Sequence, residues 1–261
     1  QRAGNRTIDV VGLGVQYGAV MKKEGLSIPF KPEGYPDFFV DSAEYDADGY
    51  WYPFQFNLYG VAVNKSMLDP SAVSSWDALA DGSITKPVII ADPSIGSAGF
   101  TWAVAMQEEE KYGPAYLKRL GRQSNLQLGP VHPDNLARVA RGDVAAYFPV
   151  GTFDLPNLPA QDVKLVFPGD EPYVGPINLS LTKGAPHPNA AKVLMSFLTS
   201  ERGQKLIAEG GATPTRAGIA TPNARFDVSS YQRVINPHLD AVLQNQDNIE
   251  GFTQRYFRSG N

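Results

Sequence analysis

The stretch Lys86-Pro-Val-Ile-Ile-Ala-Asp-Pro-Ser-Ile-Gly-Ser-Ala-Gly-Phe-Thr-Trp102 concentrates the residue types in this chain best suited to binding. Residues 88–91 are a short apolar run rich in β-branched side chains, Asp92-Pro93 interrupts it, and small residues follow before an apolar segment resumes. The pattern predicts a buried strand, a tight polar loop and the start of a helix. The first N–H groups of a helix lack intrahelical partners, and the macrodipole places partial positive charge there. Ser94, Ser97, Ala98, Gly99 and Thr101 are therefore candidates to bind a phosphate, phosphonate or carboxylate. The structural alternative is that Ser97 caps the helix and the glycines turn the chain, since serine is a preferred N-cap with or without a ligand.

Other candidate groups are spread along the chain. Gln55 and Asn57 alternate with Phe54, Phe56 and Leu58, so a strand here carries amides on one face and apolar side chains on the other. Amides so placed meet either water or a solute. Tyr52 and Tyr59 read as core aromatics or as rings stacked on a ligand. Thr152 and Asp154 follow an apolar run at 144–150; Thr152 is a candidate binding hydroxyl, and Asp154 either faces the solute or caps a turn. Gly12, Leu13 and Gly14 close the first apolar run, where Gly14 permits close backbone approach to a ligand and a plain turn explains the glycines equally well.

Catalytic chemistry finds little support. No Gly-x-Ser-x-Gly elbow is present, and Ser94-Ile-Gly-Ser97 has no accompanying base. His132, His187 and His238 each adjoin a proline and are far apart, without paired metal-ligand spacing. Glu108-Glu-Glu-Lys111 reads as a solvated helix face. The expectation is a binding protein with no catalytic residues, no metal and no cofactor.

These groups need elements to hold them. Residues 7–14 read as a strand running into a glycine loop, 15–23 as a helix closed by Gly25, and 29–45 as a surface excursion with little regular structure. A long strand is expected over 50–64. Ser74-Ser-Trp-Asp77 has capping-box form and predicts a helix from near Trp76 to Gly82. Helices are expected over 100–112, from Gly113-Pro114 onwards with Tyr116, Leu117 and Leu120, and over 134–141. Strands are expected at 144–150, 163–167 and 177–182. Residues 189–199 place Ala190, Val193, Leu194, Phe197 and Leu198 on one helical face, and 239–257 predict closing helices. Alternating strands and helices indicate an α/β fold with largely parallel pairing. The strand-like stretches 50–64 and 173–182 flank a block able to form a lobe, so the chain would leave one lobe and return to it through a two-stranded hinge, with a ligand cleft between the lobes.

The chain has 261 residues, more than one core usually serves, which suits two lobes. A formal net charge of −4 with interspersed signs offers no basic patch, so nucleic acid and anionic membrane surfaces are not expected partners. The absence of cysteine excludes disulfides and thiolate metal sites. No run of about 20 apolar residues predicts membrane insertion. The first residue is Gln, and no leader precedes the first apolar run, so a processed or truncated chain is expected.

The succession Tyr59-Gly-Val-Ala-Val-Asn-Lys65, Ser75-Trp-Asp-Ala-Leu79, Val88-Ile-Ile-Ala-Asp-Pro-Ser94, Val139-Ala-Arg-Gly-Asp-Val-Ala145, Lys183-Gly-Ala-Pro-His-Pro-Asn-Ala-Ala-Lys192 and Phe197-Leu-Thr-Ser-Glu-Arg-Gly-Gln204 resembles the extracellular solute-binding proteins of bacterial ABC importers. It is similar in particular to the class II branch of ferric-ion, polyamine, phosphonate and sugar-phosphate binders, from about residue 8 to about residue 216. The resemblance implies a two-lobed α/β fold, residues 1–60 and 180–261 in the first lobe and 61–179 in the second. It implies closure around a small solute, delivery to an ABC permease, a monomer, and a periplasmic or other extracytoplasmic location. It also implies that a strand-helix-strand unit ahead of residue 7 is missing from the first lobe. Ser94, Ser97, Gly99 and Thr101 fall where the family's anion-binding loop lies. Ferric binders of this branch carry adjacent tyrosines where this chain has Thr152 and Phe153, which disfavours the alternative of a ferric or other metal-ion receptor, because ferric ion favours hard phenolate and carboxylate oxygens.

Overall fold

The computed structural model describes residues 7–40, 43–95, 98–130, 134–157 and 161–258. In chain order the elements are β1 (Val10–Gly14), α1 (Val15–Lys23), β2 (Ser27–Ile28), β3 (Tyr52–Asn64), β4 (Val88–Ala91), α2 (Ala98–Glu108), α3 (Gly113–Gly121), β5 (Leu126–Gly129) and α4 (Asp134–Arg141). Then come β6 (Ala146–Gly151), β7 (Val163–Val166), β8 (Tyr173–Thr182), α5 (Pro188–Thr199), α6 (Glu201–Glu209), β9 (Thr213–Pro214), α7 (Leu239–Gln246) and α8 (Ile249–Thr253). Strands and helices mix along the whole chain, as the α/β reading expects.

Two compact units emerge, Gln1–Asn57 with Pro176–Ser230, and Leu58–Gly175 with Tyr231–Asn261. Strands β3 and β8 each run from one unit into the other. The sequence reading assigned residues 180–261 to the first lobe, whereas the structure groups 231–261 with the second unit. The physical reason is apolar burial: Ile235, Val242, Phe252, Tyr256 and Phe257 join the core built around Trp76, Trp102 and Phe148.

In the first unit β1 pairs antiparallel with β8, from Val10 opposite Leu181 to Gly14 opposite Ile177. Strand β2 also pairs with β8, and β9 pairs with β3 at Gln55 and Phe56. A Cβ at Gly18 would collide with the Trp51 side chain, so glycine lets α1 lie close to the segment ahead of β3. Residues 29–45 are more than a surface excursion: Phe38 and Phe39 are buried, and the Tyr35 ring lies 5.8 Å from Phe39 and 5.4 Å from Tyr52. Aromatic burial replaces regular hydrogen bonding as the ordering force there. The apolar face expected on α5 is also corrected. Ala191, Met195 and Thr199 are the buried stripe, while Val193, Leu194 and Phe197 are exposed. The backbone N–H of His187 donates to Asp9 Oδ1 (2.6 Å), tying the start of α5 to the start of β1. At its other end α6 follows so tightly that a Cβ at Gly203 would overlap the Phe197 carbonyl.

In the second unit β4 is flanked in parallel by β5 and β6, while β3 runs antiparallel to β6 and β7. The expectation of largely parallel pairing therefore fails. The pairings of β8 with β1 and β2, and of β3 with β6, β7 and β9, are antiparallel; a single bridge from Tyr173 to Ile235 is parallel. Helix α2 is buried from Gly99 to Met106, and the Tyr116, Leu117 and Leu120 face of α3 adds to the same core. The predicted helix at Trp76 shrinks to one 3-10 turn, Trp76–Leu79, capped by Ser75, whose hydroxyl accepts from the Ala78 N–H (3.3 Å).

Candidate functional site

Parallel pairing decides what meets at the carboxyl ends of the central strands of the second unit. Ile90 stands opposite Phe148, so β4 and β6 finish side by side. Strand β4 leads through Asp92 and Ser94 to α2, and β6 leads through Gly151 to Thr152. The Thr152 side chain is 2% exposed, and its hydroxyl has no hydrogen-bond partner. An unpaired buried hydroxyl costs about 1–3 kcal/mol, so this group is poised to gain from a polar ligand. Asp154 accepts from the Gly151 N–H (3.1 Å) and is buried, which gives its carboxylate a turn-forming role.

Ser94 lies in an ordered loop. Asp92 Oδ1 accepts from the Ser94 N–H (2.9 Å) and from its hydroxyl (2.8 Å). Arg258 donates to Asp92 Oδ2 (2.9 Å) and to the Ser94 hydroxyl (3.3 Å), bringing the far end of the chain to this loop. Neither Asp92 nor Arg258 was a sequence candidate. Asp92 had a signal, an Asp-Pro-Ser string of the kind that forms side-chain turns; Arg258 had none.

The remaining helix-start candidates divide. Ser97 lies outside the described residues. Ala98 begins α2. Gly99 packs against β4, where a Cβ would overlap the Ala91 carbonyl oxygen, so its small size has a packing reason of its own. The Thr101 hydroxyl accepts from Tyr173 (2.6 Å) and donates to the Ala98 carbonyl (3.4 Å), which commits it to the interior. Burial pushes the Tyr173 hydroxyl pKa well above its ordinary value, so Tyr173 remains a neutral donor.

In the first unit Gln55 Nε2 donates to Asn57 Oδ1 (2.9 Å), which places both amides on one face of β3. Asn57 is buried and Gln55 half-buried. Gly14 ends β1 directly before α1. In the first unit two buried amides with unpartnered atoms, Gln16 on α1 and Asn178 on β8, were not among the candidates. Their strand and helix patterns were legible, but their burial was not. Tyr59 packs among rings, 5.3 Å from Tyr173 and 6.1 Å from Phe153, and Tyr52 joins the aromatic cluster of the first unit. The His187 ring is exposed beside Asp9 Oδ2 (3.1 Å). His132 lies outside the described residues. Among the described residues no group of three or more His, Asp or Glu side chains is placed to hold a metal ion.

The family model described as bacterial extracellular solute-binding protein matches residues 5–245, and the chain belongs to that family. No curated protein matches it. A substrate-binding protein of an ABC transporter from Agrobacterium tumefaciens superposes with a TM-score of 0.80 at 14% identity, over 100% of this chain and 80% of that one. AfuA from Actinobacillus pleuropneumoniae, solved with fructose-6-phosphate bound, gives 0.77 at 19% identity, over 97% and 83%. A ferric binding protein from Campylobacter jejuni gives 0.73 at 18% identity, over 99% and 85%. At these identities the likeness establishes the class II periplasmic binding fold. Membership of the family implies a small-molecule ligand, an ABC permease partner and an extracytoplasmic location. No described helix is long and apolar enough to cross a membrane.

Proposed function

We propose that this receptor captures a small anionic solute, a phosphate ester, phosphonate or carboxylate, without chemical conversion. The observation that carries the reading is the buried, unpartnered hydroxyl of Thr152 beside the strand that leads to Ser94 and the start of α2. Hydroxyl and backbone N–H donors at the end of a β-strand suit an anion, and exclusion of water on closure strengthens such bonds. The expectation of a two-stranded hinge belongs to the same proposal, supported by two strands that run from one compact unit into the other. A ferric reading draws on the names of solved relatives, the ferric binding proteins of Campylobacter jejuni and Bordetella and the iron-bound HitA of Pseudomonas aeruginosa; Thr152 and Phe153 are not ligands that ferric ion favours.

The test is a thermal-shift panel of phosphate esters, phosphonates, carboxylates and ferric salts, followed by titration calorimetry on Thr152→Val. An anionic solute at 100 times its Kd should stabilise the chain by about 2.7 kcal/mol. Thr152→Val should weaken that solute by about 0.5–3 kcal/mol, the range for neutral and charged hydrogen bonds. Stabilisation by ferric salts alone, or sustained conversion of a bound solute by the purified protein, overturns the proposal.

A further inference from the structure

Arg216 and Asp227 border one cavity of about 290 Å³ whose lining lies wholly within the first unit. Val40, Phe56 and Ile219 give that cavity an apolar wall. Both charged groups are half-buried and held in place. The Arg216 guanidinium lies 4.9 Å from the centre of the Phe38 ring and donates through Nη1 to the Thr199 carbonyl (3.1 Å). Asp227 Oδ1 accepts from the Ser229 N–H (2.9 Å) and from its hydroxyl (2.7 Å). Among the described residues nothing pairs with Arg216 Nη2 or with Asp227 Oδ2, and the two groups form no ion pair with each other. Glu201, which borders Arg216 on its other side, gives its carboxylate to Lys205 (2.5 Å). The Thr221 hydroxyl, on the lining of the same cavity, is buried without a partner.

A cation and an anion thus share one cavity without neutralising each other, and partial burial makes each costly to leave unpaired. An anion entering the cavity answers Arg216 but meets Asp227 as a like charge. A cation answers Asp227 and is repelled by Arg216. A zwitterion answers both. We propose that this cavity is a second binding site, apart from Thr152, which belongs to the other unit, and that it takes a small zwitterion of the amino-acid type with an apolar body. The carboxylate lies on the planar guanidinium of Arg216, whose forked donors match two carboxylate oxygens. The ammonium lies on Asp227 Oδ2, the Thr221 hydroxyl adds a polar contact, and the aliphatic part rests on Val40, Phe56 and Ile219. The cavity volume suits a ligand at the small end of the usual range.

The experiment is titration calorimetry on the full chain with two zwitterions, L-leucine and 6-aminohexanoate. Each is compared with its singly charged counterparts, 4-methylpentanoate and 3-methylbutylamine for the first, hexanoate and hexylamine for the second. At least one zwitterion is expected to bind roughly ten-fold or more tightly than both of its counterparts, because a site built for two charged groups rejects an analogue that lacks either. Asp227→Asn keeps an oxygen for Ser229 and should bring that zwitterion down to the affinity of its carboxylate counterpart. Arg216→Gln, a second variant in case the first does not fold, should bring it down to the affinity of its amine counterpart. No binding of either zwitterion, equal affinity for a zwitterion and a counterpart, or an unchanged preference in a folded variant overturns the proposal. Loss of zwitterion binding in Thr152→Val with retention in Asp227→Asn assigns the zwitterion to the second unit and overturns it as well. The anion reading is tested by its own panel and does not depend on this site.

Discussion

Asp92 and Arg258 are 166 positions apart in the chain, yet Arg258 Nη2 lies 2.9 Å from Asp92 Oδ2. The same guanidinium reaches Glu250 Oε1 through Nη1 (2.6 Å). The turn that follows α8 therefore helps fix the loop between β4 and α2, where Asp92 already accepts two hydrogen bonds from Ser94.

Arg258→Gln and Asp92→Asn should each lower stability, and their effects should not add. The side chains are 34% and 15% exposed, so solvent screening keeps the expected coupling to about 0.5–1 kcal/mol. A double-mutant cycle by urea denaturation measures it. Additive effects would show that the pair does not tie the loop.

Gly99→Ala should cost stability by about 1–3 kcal/mol, since the new methyl would overlap the Ala91 carbonyl oxygen and push α2 away from β4. Equilibrium denaturation is the measurement. A neutral substitution would mean that the helix start has room to shift. Loss of solute binding in a bulkier Gly99 variant is interpretable only beside this control.

Tyr173→Phe removes the donor to the Thr101 hydroxyl, and both groups are buried. A stability loss of about 0.5–1.5 kcal/mol is expected, with solute affinity unaltered. Weakened affinity in the folded variant would return Thr101 to the list of binding groups.

Glu171 supplies a pH signature. Burial pushes its carboxyl pKa up, but the Tyr112 hydroxyl, the Lys111 ammonium and the charge of Arg233 outweigh burial and hold it below the ordinary value of 4.5. A depressed carboxyl contributes stability that is present above the unfolded pKa and is lost as pH falls through the folded one. Glu171→Gln should therefore flatten the decline in stability below about pH 4.5 and leave its pH dependence near neutrality alone. Parallel acid limbs in the two proteins would count against this contribution.

The order of strands and helices was legible in the sequence because it depends on local signals. The β-branched run at Val88–Ala91, the Gly113-Pro114 restart and the apolar spacing of α3 each declare an element within a few residues. The motif succession declared the family for a similar reason, since order and spacing survive where single motifs are weak. Ser94 and Thr152 were legible as candidates because they follow strands.

Partners distant in the chain were not. Tertiary packing decided that the Thr101 hydroxyl answers Tyr173, that Gly99 is small for the sake of Ala91, and that Arg258 returns to Asp92. It also decided that 231–261 completes the second unit, because apolar side chains join whichever core removes them from water. The contrast between Gln204 and Asn178 states the division most clearly. Both are buried amides, yet one closes its hydrogen bonds within the protein and the other does not. Composition and periodicity determine that an amide is buried only on average; whether its donor and acceptor find partners depends on which backbone groups the folded chain brings within about 3 Å.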